Sequence, residues 1–219
     1  MKKSNSKIFK KSLGTGQEIR HFVALKDDLI ISRDYSPIVS YVIIDGKKHK
    51  RGDILPFVKG LRLSARLIYI LRKKLSDFDV DINWGHIQDD GKRLCSPECD
   101  IIIHKGGISD TWNGDNDKRP VMDFHFIQRK SVKAVISCKS MIDSIDDDFA
   151  RVVTKEFNIN NLFIFAEAAQ LSHYTKLKAT AKKSGYKGLW TLYNIGKKDE
   201  IIADENEYLN FLSTIKGCL

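Results

Sequence analysis

No apolar run in this chain approaches the roughly 18 residues that a membrane-spanning helix needs. The basic N-terminus also lacks the apolar segment of a secretory signal. Both absences point away from membrane insertion and export. Cysteine is scarce: the four residues at 95, 99, 138 and 218 are too few for a disulfide framework and suit the reduced thiols of a cytoplasmic protein. Cys95, Cys99 and His104 would furnish part of a zinc site, but no second ligand pair accompanies them. A Walker-type phosphate loop is absent, and Gly14-Thr15-Gly16 is too short to replace one. Acidic residues, finally, are thin at one end of the chain. Residues 1–74 carry 18 Lys+Arg against 6 Asp+Glu, a net +12, whereas residues 75–219 carry 19 against 22, a net −3.

What is present suits a folded α/β protein that meets a polyanion. With 219 residues and 42% hydrophobic content the chain can bury a full core. The organisation expected is a basic N-terminal arm with strands over 1–55 and a mixed α/β core over 56–219. Residues 37–44 form an apolar run that ends at Asp45-Gly46, a strong turn signal, and the Lys47, Lys48, Lys50 and Arg51 cluster follows it. Such a cluster suits contacts to a nucleic-acid backbone, which give salt-sensitive affinity without sequence information. From Pro56 to Leu75 the apolar spacing becomes helical, with Leu61, Leu63, Leu67, Ile70 and Leu71 near one side. Arg62, Arg66, Arg72, Lys73 and Lys74 lie around the other. Those arginines are either a solvated face or a phosphate-contacting one.

Two short segments carry polar groups that a core strand would not choose. Cys99-Asp100-Ile101-Ile102-Ile103-His104 opens on an aspartate, and Val132-Lys133-Ala134-Val135-Ile136-Ser137-Cys138-Lys139 closes on a lysine. Both read as strands from their β-branched content. A buried charge must be paired or bind a metal, so an acid on one strand and a lysine on its neighbour suggest a site.

This pairing resembles the PD-(D/E)xK nuclease superfamily, which includes many restriction endonucleases. The resemblance is carried by residues 80–165 and implies a restriction-endonuclease-like mixed sheet flanked by helices. It also implies a Mg2+-dependent DNA endonuclease, with Mn2+ as a substitute, of the type II restriction or phage-defence kind. Double-stranded DNA would be the substrate, cut by a homodimer in a bacterial or archaeal cytoplasm. On this match Asp100 is the metal-binding Asp, Lys139 the motif lysine and the Cys138 carbonyl a further oxygen ligand. The chain departs from the pattern at Ser137, where most members carry Asp or Glu. A serine can donate a hydrogen bond but cannot replace a carboxylate's charge. The missing acid would come from Asp148 or Asp147 in the following helix, from the more distant Glu156, or from Glu98, which strand alternation places on the face of Asp100. Asp146, Asp147 and Asp148 also suit a helix N-terminus, where capping explains them without a metal.

The rest of the chain fits a mixed α/β core. Strands are expected over 78–87, 161–166 and 189–195, and helices over 144–157, 167–184 and 205–216. A polar, Gly-rich loop would fill the stretch between His104 and Val121. Gln170 and Tyr174 have a spacing similar to one in exonuclease branches of the superfamily, although two residues at one spacing recur by chance. Two other readings compete. One is a nuclease-like fold that has lost catalysis and binds DNA or assembles, with Ser137 as the first symptom. The other is a plain Asp100–Lys139 ion pair, an arrangement that seldom improves stability over apolar residues.

Overall fold

The computed structural model describes residues 22, 23, 26, 41–44, 47–50, 55–89, 91–113, 123–197 and 200–219. Arg51 and Asp45-Gly46 lie outside them. The polar character of residues 47–50 does not prevent pairing: β1 (Tyr41–Ile44) and β2 (Lys47–Lys50) form an antiparallel two-stranded sheet, with Ile44 opposite Lys47. That register leaves a two-residue connection, as the Asp-Gly signal predicts.

The remaining elements build one nine-stranded mixed sheet. Helix α1 (Leu55–Lys74) leads to β3 (Asp81–Asp89), β4 (Leu94–Cys95), β5 (Cys99–His104), β6 (Ile108–Asn113), β7 (Asp123–Gln128) and β8 (Val132–Ile142). A short helix, α2 (Asp147–Arg151), comes before β9 (Leu162–Gln170), α3 (Leu171–Ser184), β10 (Gly188–Ile195), β11 (Ile201–Ala203) and α4 (Glu205–Lys216). The strand order is β11-β10-β9-β8-β5-β3-β7-β6, with β4 on β3. Strands β8, β9 and β10 run parallel, and β5 is antiparallel to β8.

Helices cover both faces of this sheet. On one side Leu63, Leu67 and Leu71 of α1 and Phe211 and Ile215 of α4 pack on Ile101, Ile136, Phe163 and Phe165. On the other, Ala150 and Val153 join Tyr174, Leu177 and Ala181 of α3 against Ile102, Val135 and Ile164. The near-continuous apolar runs of β5, β8 and β9 follow from this double cover, which leaves no strand face for water. The architecture is the mixed α/β sheet flanked by helices that the sequence led us to expect.

Several expectations need correction. The presumed loop after His104 contains β6, which pairs antiparallel with β7. Strand β6, at the sheet's edge, mixes polar residues without apolar alternation, and β7 lies between it and β3. Residues 167–170 extend β9 rather than start α3, since four more residues of the sheet continue between β8 and β10. The stretch 144–157 is α2 followed by a turn of π-helix over Val152–Glu156. Arg72 is exposed, as a solvated face implies, but its head is tied down. Its guanidinium donates to the Ile82 carbonyl at 2.7 and 3.1 Å and to Asn83 Oδ1 at 3.0 Å, tying α1 to β3. Two glycines are required by backbone geometry. Gly85 has φ +152°, and a Cβ there would lie 1.9 Å from the His125 carbonyl oxygen on β7. Gly185, at φ +103°, ends α3 in the left-handed conformation, its N–H bonding carbonyls of the last turn.

Candidate active site

The β5·β8 ladder ends with Ile101 opposite Ile136, and the next residues on the two strands are Asp100 and Ser137. The site therefore begins where backbone pairing stops. The Cys138 N–H, freed from the ladder, donates to Asp100 Oδ2 at 2.8 Å, and the Ser137 hydroxyl reaches the same oxygen at 3.5 Å. Both bonds fall on Oδ2, leaving Oδ1 free for another partner among the described residues. An extended residue presents its N–H and C=O along one strand edge, so the Cys138 carbonyl also faces β5.

A bulge sets the direction of Asp100. Strand β3 pairs Asn83 with Ile102 and Gly85 with Cys99, so Trp84 alone faces the two residues Asp100 and Ile101. Bulges bend a strand and re-aim its side chains. Trp84 uses its indole N–H for Glu98, donating to Oε1 at 2.7 Å.

Burial pushes the Asp100 carboxyl above its ordinary value, and the nearby Glu98 charge pushes the same way. The Cys138 N–H, the Lys139 charge and the Ser137 hydroxyl pull it down. Asp100, Glu98, Ser137 and Lys139 thus share one electrostatic neighbourhood. Lys139, two residues beyond Ser137, lies on the same face of β8 by alternation.

The other acidic candidates have different partners. Asp148 is 92% exposed and pairs with Arg151 at 3.5 Å, and Glu156 pairs with the same arginine at 3.2 Å. Asp146 caps α2 by accepting from the Phe149 N–H at 2.9 Å, and Asp147 accepts from the Ser184 hydroxyl. Asp143 accepts from Ser144. Capping and local ion pairs therefore account for the acidic run, as the macrodipole argument allowed.

The zinc alternative loses its histidine to a different network. In buried His104, Nδ1–H donates to the Gly106 carbonyl at 2.7 Å, and Nε2 accepts from Asn83 Nδ2 at 2.9 Å. Burial pushes the Cys99 thiol up to about 12 and the Cys138 thiol well up, so both are protonated core groups. Among the described residues no three His, Cys, Asp or Glu side chains are grouped to hold a metal ion. Tyr174 is likewise a tie: its hydroxyl donates to Glu207 Oε2 at 2.8 Å, beside the Lys178–Glu207 pair at 2.6 Å, which fastens α3 to α4. Gln170 gives α3 no side-chain cap.

Of the basic residues expected to face nucleic acid, Lys47, Lys48 and Lys50 make up most of β2. Arg62 and Arg66 lie on α1, half-buried and exposed respectively. Among the described residues no helix is long and apolar enough to cross a membrane. Sequence reasoning names Asp100, Lys139 and Glu98 as candidates and does not name Trp84, whose donor meets Glu98 through the β3–β5 pairing.

No protein-family model and no curated protein matches the sequence. Solved structures do share its fold. The cAAA-bound form of P. aeruginosa ATCC27853 NucC has a TM-score of 0.57 at 11% identity, covering 96% of this chain and 93% of that one. The cAAA-bound form of E. coli MS115-1 NucC has a TM-score of 0.55 at 10% identity, covering 97% and 93%.

Proposed function

We propose that this chain is a metal-dependent endonuclease of the phage-defence kind, hydrolysing phosphodiester bonds in double-stranded DNA. The observation that carries the reading is the end of the β5·β8 ladder, where half-buried Asp100 accepts the Cys138 N–H at 2.8 Å beside Ser137 and Lys139. The fold is consistent with it, since the helix-flanked mixed sheet that the nuclease resemblance implies is present and is shared with NucC over nearly the whole chain. A plain Asp100–Lys139 pair accounts less well for the arrangement, because Asp100 takes its hydrogen bonds from the Cys138 N–H and Ser137 and its carboxyl stays raised despite Lys139.

The donors present fit Mg2+. That ion typically takes one or two carboxylates and keeps several waters, and here a desolvated carboxylate with an available Oδ1 lies near a second acid and a backbone carbonyl. Asp100, Glu98 and the Cys138 carbonyl would hold the cation, with Mn2+ able to replace it. When bound, the ion supplies charge neutralisation at the phosphate and acidifies a coordinated water.

The protein's own groups do the rest. Lys139 brings an ammonium to the site face of β8, where it would orient the attacking water and stabilise the charge that grows on the phosphate oxygens. Ser137 and the Cys138 N–H fix Oδ2 of Asp100, so that its other oxygen has one direction. Lys47, Lys48, Lys50, Arg62 and Arg66 supply backbone attraction, and a homodimer would bring two such sites to two strands. Restriction-type activity, with discrete fragments, is the specific form favoured.

Supercoiled plasmid incubated with Mg2+ tests the proposal. Wild-type protein should convert it to linear or fragmented DNA, EDTA should stop the reaction, and Lys139→Ala should bind DNA but cut at least ~10²-fold more slowly. Intact plasmid with retained DNA binding in all samples would instead support a non-cleaving binding module.

A further inference from the structure

The motif serine leaves one carboxylate to be found, and the structure narrows the search. The acids between β8 and β9 bond within their own stretch or to α3: Asp143 to Ser144, Asp146 to the Phe149 N–H, Asp147 to Ser184, and Asp148 and Glu156 to Arg151. Among the described acids, Glu98 is the one that the chain itself places beside Asp100, two residues away and bonded to the Trp84 that faces Asp100 across the β3–β5 pairing. It stands two residues ahead of Asp100, just before the strand enters the sheet, where a side chain has several directions open to it. The Trp84 indole removes that freedom. Its N–H is a donor only, it holds Glu98 Oε1 at 2.7 Å, and its own position is set by the bulge that turns Asp100.

We propose that Glu98 supplies the second carboxylate of the cation site and that Trp84 is a positioning residue, holding Glu98 in place through its indole N–H. This rests on the nuclease reading. The displaced acid thus sits in the segment that leads into β5 instead of on β8, and one oxygen of Glu98, Oε2, is left for the ion. Outer partners of this sort tune affinity: losing one typically weakens metal binding about 10–100-fold.

The test is Mn2+ binding by titration calorimetry, with cleavage measured in parallel on wild type, Trp84→Phe, Glu98→Gln, the double variant and Asp100→Asn. Trp84→Phe keeps an aromatic ring and deletes the donor. It should weaken Mn2+ about tenfold and raise the Mn2+ concentration needed for half-maximal cutting, while saturating Mn2+ restores most of the rate. Glu98→Gln should weaken binding more. Adding Trp84→Phe to Glu98→Gln should change affinity no further, because the indole acts only through the carboxylate. A merely structural tryptophan would lower stability without this non-additivity. Should Trp84→Phe fail to fold, Glu98→Gln, an exposed change, still decides the ligand: wild-type Mn2+ affinity there overturns the proposal. Additive losses, or an unchanged affinity in Trp84→Phe, overturn the role of Trp84. If Asp100→Asn abolishes Mn2+ binding and cutting while Glu98→Gln does neither, the nuclease reading stands and this inference falls. If wild type neither binds Mn2+ through Asp100 nor cuts, the nuclease reading itself has failed.

Discussion

Asp100 keeps a carboxyl in a half-buried place, which costs stability whenever it is charged. Burial raises its carboxyl above the ordinary value, so the folded chain binds that proton more tightly than the unfolded one. Its contribution to stability therefore falls as pH rises from the ordinary carboxylate value through the raised one, and the penalty is complete above that. Asp100→Asn removes the charge yet leaves an oxygen to accept the Cys138 N–H. The metal-free variant should be more stable than wild type at neutral pH, with the gap closing as pH falls below the carboxylate range. Urea unfolding across pH measures this, and saturating Mn2+ should stabilise wild type but not the variant. Lys139→Met, by contrast, should fold normally and lose cleavage at least ~10²-fold. Its measurement is a single-turnover cutting rate.

At the scale of elements, the sheet depends on close approaches that only particular residues permit. Gly85 lets β3 pass against β7, and a methyl group there would lie 1.9 Å from the His125 carbonyl oxygen. Gly85→Ala should cost ~3 kcal/mol from overpacking, read as a lower urea midpoint. Arg72→Ala strips three hydrogen bonds between α1 and β3 and leaves the Ile82 carbonyl short of a partner. A loss of about 1–3 kcal/mol is expected in the same experiment.

Elements with a clear period are the legible ones. The strand 99–104 and the helix 205–216 can be read from sequence with the bounds that the structure gives them, and α1 within a residue at each end. Strand β6 cannot, because Ile108–Asn113 sits at the sheet's edge and mixes polar residues without alternation, and β7 is only six residues long with three polar ones. The start of α3 is misplaced because Glu167 looks like a helix residue. It is in fact buried in β9, accepting from the Tyr193 hydroxyl at 2.5 Å. Within the candidate site, Asp100 and Lys139 stand out because charge at the ends of apolar strands is costly. Trp84 stays hidden, since its bond to Glu98 depends on a bulge that no local pattern announces.

Over the whole molecule, charge and chemistry are divided along the chain: net +12 over residues 1–74 and −3 over residues 75–219, which hold Asp100 and Lys139. Under the nuclease proposal, the basic segment would gather the DNA backbone for a nearly neutral core. Replacing Lys47, Lys48 and Lys50 with alanine should weaken DNA binding similarly on all sequences. It should also flatten the salt dependence by about one unit of log–log slope for each phosphate no longer neutralised. Fluorescence anisotropy at several salt concentrations gives both. The most direct test of the nuclease reading compares wild type with Asp100→Asn on phage DNA in Mg2+, both shown folded by urea unfolding. Cutting by wild type and none by the equally folded or more stable variant is the predicted result; equal cutting by both, or none by wild type at any Mg2+ or Mn2+ concentration, would contradict it.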